Sequence, residues 1–161
     1  MMADDEILKR LRRLEDQEGI RAVIARYADA VDHDAEPALL RGCFTADAVW
    51  RGKGIGVFRG RAAIVKGIRA TMTERITWAL HYMTQPVIKV AADGKTAKAH
   101  YYLWELAKFR PDGAAETEST WIGGWYDSRF RKVKDDWRFS SIKLTIRLLS
   151  PHRLPEWRTL D

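Results

Sequence analysis

Four runs of alternating apolar and polar residues occupy the second half of the sequence and restrict its fold more than any other feature. A period of two residues is typical of a β-strand that buries one face. Short turns rich in Asp, Gly, Pro and Lys separate the runs, and consecutive strands joined by short turns must be antiparallel. The predicted strands cover residues 78–90, 96–109, 118–133 and 137–149.

The first half has helical periodicity instead. Apolar residues recur every three or four positions from Ile7 to Val31, which predicts two helical segments that meet near Gly19. A short helix is expected from Pro37 to about Phe44, because proline suits the first position of a helix. The elements expected next are a strand over 48–50, a glycine-rich turn over 52–60 and a helix over 61–72.

This order of elements predicts an α+β domain, in which N-terminal helices pack on the concave face of a curved antiparallel sheet. No repeat, linker or low-complexity tract divides the 161 residues. We therefore expect one domain over residues 1–161, with a core of about 7–150 and a C-terminal tail over 151–161. The content of 46% hydrophobic and 31% charged residues is too apolar for a disordered chain and too charged for a membrane bundle.

Composition also restricts location and partners. No apolar stretch reaches the roughly 18 residues that span a bilayer, and the acidic start lacks the features of a secretion signal. A cytoplasmic protein without membrane contacts is therefore expected. The net charge of +6 raises the question of nucleic acid. Because the basic residues are scattered and no block of five like charges occurs, no nucleic-acid partner is expected.

The sequence offers no pattern for a metal, a nucleotide or a covalent nucleophile. Its 4 histidines are isolated from one another, and the glycines over 52–56 lack the spacing of a nucleotide fingerprint. The single cysteine, Cys43, lies in an apolar helical stretch and is interpreted as core packing. We therefore expect no metal and no cofactor, which leaves acid–base chemistry.

Four residues are candidates for that chemistry. Tyr27 and Asp32 lie on the long helix, His81 on the first predicted strand, and Glu105 on the apolar face of the second. An imidazole held by a carboxylate is a general base poised near neutrality, and a phenol or carboxylic acid nearby can donate a proton. An acid on an apolar strand face is costly to bury unless it is paired or protonated.

Structural roles remain open for these residues. Tyr27 fits helix core, Asp32 fits a solvated helix end or the cap of the helix that begins near Pro37, and His81 fits a hydrogen-bonded core histidine. On a straight helix Tyr27 and Asp32 point about 140° apart. They can share a cavity only if the helix ends or bends near Val31.

Six segments together carry a family resemblance: 14–21, 27–32, 44–50, Leu80-His81-Tyr82, Gln85-Pro86 and Asp136-Trp137-Arg138-Phe139. They resemble the SnoaL-like branch of the superfamily that contains nuclear transport factor 2, scytalone dehydratase and ketosteroid isomerase. The resemblance covers nearly the whole chain. It implies a cone-shaped α+β barrel with a deep pocket between the helices and the curved sheet.

Within that branch, Asp32 and His81 match the Asp/His dyad shared by scytalone dehydratase and hexachlorocyclohexane dehydrochlorinase. Bile-acid 7α-dehydratase extends the match to Tyr27 and to Glu105, where it has Asp. The lysine of the dehydrochlorinase falls on Tyr27 and its arginine near Ile142. The resemblance therefore disfavours halide elimination.

The resemblance implies a cofactor-independent lyase, first of all a dehydratase of a hydrophobic polycyclic or aromatic alcohol. In that reaction His81, oriented by Asp32, removes a proton. Tyr27 hydrogen-bonds the oxygen on which negative charge develops, and Glu105 protonates the leaving hydroxyl or positions the substrate. The side chains expected to line the substrate pocket are Trp50, Tyr101, Trp121 and Trp125.

Three other functions stay open: a carbon–carbon lyase releasing formaldehyde from lignin-derived diaryl substrates, a polyketide cyclase or ketosteroid-type isomerase, and a non-catalytic small-molecule-binding module. An intact set of four polar residues disfavours the last. The dehydratases of the branch also imply a homotrimer. Large aromatics such as Trp121, Trp125 and Tyr126, expected on an outer sheet face, favour such contacts.

Overall fold

The computed structural model describes residues 2–152, and within them three helices and six strands follow one another. Most of the expected tail, residues 153–161, lies outside the described residues. None of the described helices is long and apolar enough to cross a membrane. In chain order the elements are α1 (Met2–Asp32), α2 (Pro37–Cys43), β1 (Phe44–Gly52), β2 (Gly56–Arg59), α3 (Arg61–Glu74), β3 (Ile76–Val90), β4 (Thr96–Phe109), β5 (Glu118–Val133) and β6 (Asp136–Pro151).

The strands form one sheet in the order β2-β1-β6-β5-β4-β3. The four predicted long strands are β3 to β6, and they pair as an antiparallel meander. The expectation of a wholly antiparallel sheet is wrong at one position, because β1 runs parallel to β6. A parallel neighbour needs a long crossover, which α3 and β3 to β5 supply. The expected turn over 52–60 also contains a strand, since β2 pairs with the end of β1.

The long helix α1 is continuous, so the break expected near Gly19 does not occur. A Cβ on Gly19 would lie 2.9 Å from Cδ1 of Trp137, so the glycine permits close approach of helix and sheet rather than a bend. Asp16 fixes the same contact, because its carboxylate accepts a hydrogen bond from Trp137 Nε1 (3.0 Å) and pairs with Lys132. In the part of α1 that lies N-terminal to this contact, apolar side chains such as Leu14 are exposed.

Strand alternation predicts the buried face of β4 correctly, since the odd-numbered residues over 97–107 are all buried. Bulges break the rule elsewhere. A register shift near Gly124 inserts one extra residue in β6. Leu148 therefore turns outward, although alternation alone would place it inward, and Leu149 lines the cavity instead, with half of its surface still exposed. A similar shift in β3 leaves Gln85, whose φ is 55°, exposed.

The helices cover the concave face of this curved sheet, so the α+β cone expected from the sequence is confirmed, with the sheet open rather than closed. Buried positions on α1 recur at helical spacing from Ile20 to Val31 and pack against aromatic side chains of the sheet. The largest fully buried side chains include Tyr101, Phe44, Phe130, Phe139, Ile20 and Leu40.

Candidate active site

A cavity of about 170 Å³ lies between the helices and the concave face of the sheet. Its wall is mostly apolar, which is the usual form of a small-molecule site with a few polar groups. The polar side chains in the wall include His81, Glu105 and Tyr27. The apolar lining includes Val31, Ile68, Met72, Phe109, Ile122, Leu144, Ile146 and Leu149.

Asp32 holds His81 from behind. It is the last residue of α1, and its carboxylate accepts hydrogen bonds from the backbone N–H of His81 (3.0 Å to Oδ2) and from the ring Nδ1 (2.6 Å to Oδ1). Since a carboxylate can only accept, Nδ1 carries a proton and Nε2 is the ring nitrogen left for chemistry. Asp32 does not cap α2, because the Glu36 side chain does so by accepting from the N–H of Leu39.

Glu105 faces the other ring nitrogen. The pairing of β3 and β4 sets His81 opposite Glu105, and Nε2 lies 3.4 Å from Oε2. Both side chains are buried, and Oε1 of Glu105 has no hydrogen-bond partner among the described residues. Burial raises the pKa of Glu105, the positive charge of His81 opposes that rise, and the charge of Asp32 adds to it. The carboxyl group is therefore suited to holding a proton.

The His81 pKa is raised above its usual value. Burial alone would lower the pKa, but the charge of Glu105 and the hydrogen bond and charge of Asp32 outweigh it. His81 and Glu105 thus favour a state in which one proton is held between Nε2 and Oε2. Such a pair can accept a proton at one atom and donate one at the other.

Tyr27 offers a hydrogen-bond donor beside this pair. Its oxygen accepts a hydrogen bond from Trp50 Nε1 (3.1 Å). Burial raises the pKa of Tyr27 above the usual range, so the phenol stays protonated. Because a phenol has one O–H besides its acceptor lone pairs, the bond from Trp50 leaves the O–H of Tyr27 able to point to a substrate oxygen.

The structure thus brings Tyr27, His81 and Glu105 to one cavity, with Asp32 behind His81. The 140° separation of Tyr27 and Asp32 on a helix is accommodated because α1 ends at Asp32 and the two side chains act from different sides. Tyr27 lies in the wall itself, whereas Asp32 reaches the cavity only through the ring of His81.

Of the four aromatic residues expected to line the pocket, only Trp50 does so among the described lining residues. Tyr101 is fully buried behind the wall, where it stacks on Tyr126 and hydrogen-bonds Ser128. Trp121 and Trp125 lie on the outer face of β5, because the register sets Ile122 opposite inward-facing Glu105. The expectation that these three line the pocket is wrong.

Tyr126 is the wall aromatic that the sequence analysis placed outside. It is buried, lines the cavity and meets the ring of Tyr27 edge-on, with centroids 6.3 Å apart. The sequence holds a signal for this. Trp125 alternates with Asp127 and Arg129, which are outward charges, whereas Tyr126 alternates with Phe130.

Two basic residues of the wall were also missed, Lys53 in the β1–β2 turn and Arg75 between α3 and β3. No local pattern marks them, because they come together only through the tertiary fold.

Cys43 is buried, its thiol donates to the Leu39 carbonyl, and burial raises its pKa to about 11, so it is a poor nucleophile. Among residues 2–152, no group of three or more His, Cys, Asp or Glu side chains is arranged to hold a metal ion.

The sequence matches the pattern of the SnoaL-like domain over residues 12–143. The chain belongs to the SnoaL-like family. In this SnoaL-like domain the matched segment contains all four candidate residues, since Tyr27 and Glu105 both fall within it. No protein of curated function matches the sequence significantly.

Solved structures similar to this SnoaL-like domain include enzymes. The hexachlorocyclohexane dehydrochlorinase LinA-type3 from Novosphingobium barchaimii LL02 superposes with a TM-score of 0.82 at 19% identity, covering 93% of this chain and 99% of the other. A LinA crystal structure superposes with a TM-score of 0.83 at 17% identity, covering 93% of this chain and 98% of the other. The structure of a scytalone dehydratase candidate from Novosphingobium aromaticivorans superposes with a TM-score of 0.75 at 16% identity, covering 90% of this chain and 93% of the other. These likenesses establish the fold.

Proposed function

We propose that this SnoaL-like protein is a cofactor-independent lyase that dehydrates a small hydrophobic alcohol. The observation that carries the proposal is the position of His81, held at Nδ1 by Asp32 and set with Nε2 3.4 Å from the Glu105 carboxyl group in an apolar cavity. Base and acid are thus neighbours in a buried, mostly apolar site, where electrostatic interactions are strong.

The groups account for each atom of an elimination. Nε2 of His81 takes a proton from a carbon beside the carbinol carbon, and the electron pair of that C–H bond forms the double bond. The C–O bond breaks, and the leaving oxygen takes the proton of Glu105 and departs as water. Proton transfer from Nε2 to Oε2 then restores the starting state. Tyr27 donates a hydrogen bond to an oxygen on which negative charge develops.

Cavity size and the comparisons support this reading. A buried cavity of about 150 Å³ holds one benzene molecule, so a space of about 170 Å³ suits a single aromatic ring better than a fused polycycle. The similar structures include a dehydrochlorinase and a scytalone dehydratase candidate, whose names denote eliminations. The family resemblance sets the dehydrochlorinase's lysine on Tyr27 and its arginine near Ile142, so loss of water is favoured over loss of halide.

The test compares two histidines that make the same contact with an aspartate in different surroundings. His81 and His100 each place Nδ1 against an aspartate, at 2.6 Å and 2.8 Å, but His100 lies on the outer face. We expect His81→Gln to lower turnover of aromatic alcohols roughly 10²–10⁴-fold, and His100→Gln to leave it unchanged. Ultraviolet absorbance of the new double bond is the readout, in chelator-treated buffer without added cofactor.

Asp32→Asn should cost about as much as His81→Gln, and the double variant little more, because the two residues act as a unit. Retention of most activity by folded His81→Gln contradicts the proposal. Release of formaldehyde, or isomerisation without loss of water, would favour the other reactions of the family.

A further inference from the structure

The positive charges of the cavity lie at its mouth. Lys53 and Arg75 are the Lys and Arg side chains in the described cavity wall, and both belong to connections between elements rather than to the cone interior. Lys53 is exposed in the β1–β2 turn and makes no ion pair within residues 2–152. The rest of the described wall is apolar apart from Tyr27, Thr71, His81, Glu105 and the polar atoms of Trp50 and Tyr126.

Arg75 is held in place by three groups. Nη1 donates to the Gly54 carbonyl (3.0 Å), Nη2 donates to Asp112 (2.9 Å), and the guanidinium lies 5.4 Å from the centroid of the Phe109 ring. Asp112 is 92% exposed, so water weakens its hold on the charge. Nε is buried without a hydrogen-bond partner in the described structure. A ligand therefore approaches the guanidinium through its accessible part, since one third of the Arg75 side chain is exposed.

These cations stand opposite the reacting groups. Phe109, beneath Arg75, lies four residues along β4 from Glu105, a separation of about 13 Å at the usual rise of a strand. A molecule that fills the cavity therefore has one end at His81 and Glu105 and the other at Lys53 and Arg75. An anion placed anywhere between them would be desolvated without a partner.

We infer that the substrate carries a carboxylate at the end remote from its reacting carbon. This deepens the proposed function and rests on it for the assignment of the reacting end. A carboxylate pairs with the ammonium of exposed Lys53 and with the accessible part of the Arg75 guanidinium, whose present partner Asp112 is largely in water. The substrate class is then a hydroxy acid with an apolar, ring-sized body between hydroxyl and carboxylate.

Binding of two probes of equal shape tests the inference. We expect 4-phenylbutyrate to bind the wild-type protein at least tenfold more tightly than its neutral amide, 4-phenylbutanamide, and to lose affinity as salt is raised. Lys53→Gln should remove most of that preference. Lys143→Gln is the matched control, because Lys143 is exposed and lies outside the cavity wall, yet its loss changes net charge equally. Isothermal titration calorimetry gives all the dissociation constants.

Several outcomes would overturn the inference: equal affinity for acid and amide, no binding of the acid at millimolar concentration, or the same loss of preference in Lys143→Gln as in Lys53→Gln. Arg75→Lys gives a second reading, since it keeps the charge but loses the fork of donors, and it should retain only part of the preference. Its folding is checked by circular dichroism.

The inference and the proposed function fail separately. Turnover that depends on His81 but shows no preference for acids would refute only the inference that the substrate carries a carboxylate. A clear preference for the acid in a protein whose His81→Gln variant keeps full turnover would refute the reaction alone.

Discussion

At the scale of single residues, His81 differs from an ordinary buried histidine because both ring nitrogens face carboxyl groups. Asp32 engages Nδ1 at hydrogen-bond distance, whereas Glu105 faces Nε2 at 3.4 Å and keeps Oε1 without a partner. The two acidic residues therefore have different roles. Asp32 fixes the tautomer and orientation of the ring, and Glu105 exchanges protons with it.

The raised His81 pKa gives a prediction for titration. We expect its ring to protonate with a midpoint above about 6.5, the usual histidine value. In Glu105→Gln the midpoint should fall, because the charge that favours the imidazolium is gone while burial still disfavours it. NMR titration of the ring protons measures both. The control is His33, which lies just after the end of α1, outside the cavity wall, and whose titration midpoint should not change in Glu105→Gln. An unchanged or higher midpoint for His81 in that variant would contradict the interaction between His81 and Glu105.

The candidate site could be predicted residue by residue only where the backbone is regular. Glu105 was placed inward correctly because β4 itself contains no inserted residue: its pairing with β5 is continuous, and the register shifts of its pairing with β3 insert residues in β3. The match of Asp32 with His81 came from the family resemblance, since no local pattern relates residues that far apart. Lys53 and Arg75 stayed invisible because their meeting depends on how two connections fold over the cavity.

At the scale of elements, the bulge between β5 and β6 decides which side chains form the cavity wall. It lets Ile146 and the half-exposed Leu149 line the cavity while Leu148 lies on the outer face. Sequence alternation cannot reveal it, because one inserted residue inverts every later position. The parallel pairing of β1 with β6 was missed for a related reason: its partner strand lies at the other end of the chain.

Gly124 makes this bulge possible. A Cβ there would clash with the Thr145 carbonyl oxygen and lie 3.1 Å from Ile146 Cα, both backbone atoms that cannot turn aside. We expect Gly124→Ala to lower the free energy of unfolding by about 1–3 kcal/mol, as overpacking does, in urea denaturation. Gly42→Ala is the control. Nothing lies within 4 Å of its Cβ position in α2, so helix propensity should keep or raise stability. Equal stability of wild type and Gly124→Ala would contradict this account.

At the scale of the whole molecule, the outer face of the sheet carries an exposed apolar patch. Clustered exposed apolar side chains usually mark contact surfaces. The patch, without Tyr126, which faces inward, therefore supports self-association, and the trimer stays a proposal taken from the family resemblance. Its exposed members, spread over β3 to β6, are Leu80, Tyr82, Tyr102, Trp104, Trp121 and Leu148.

Association through this patch can be tested by charge. Trp104 and Trp121 lie with ring centroids 5.9 Å apart on the patch, and Trp104→Glu should shift a trimer to monomer because a charge cannot be buried there unpaired. Val57→Glu is the control, because Val57 is equally apolar and exposed but lies on β2 at the far sheet edge. Light scattering measures the mass. A wild-type mass near 18.5 kDa at micromolar concentration would refute self-association.

The parallel contact of β1 with β6 has a consequence for the order in which the chain can assemble. Strands β3 to β6 can form by successive hairpins, whose loops are short. Val49 meets Ser141 only after more than half of the chain has been closed into a loop, and such non-local contacts are the slow ones in folding. Trp50, on β1, is the wall residue that hydrogen-bonds Tyr27. We therefore expect a late-forming cavity, so that a chain with its hairpins already in place still has no site in which to react.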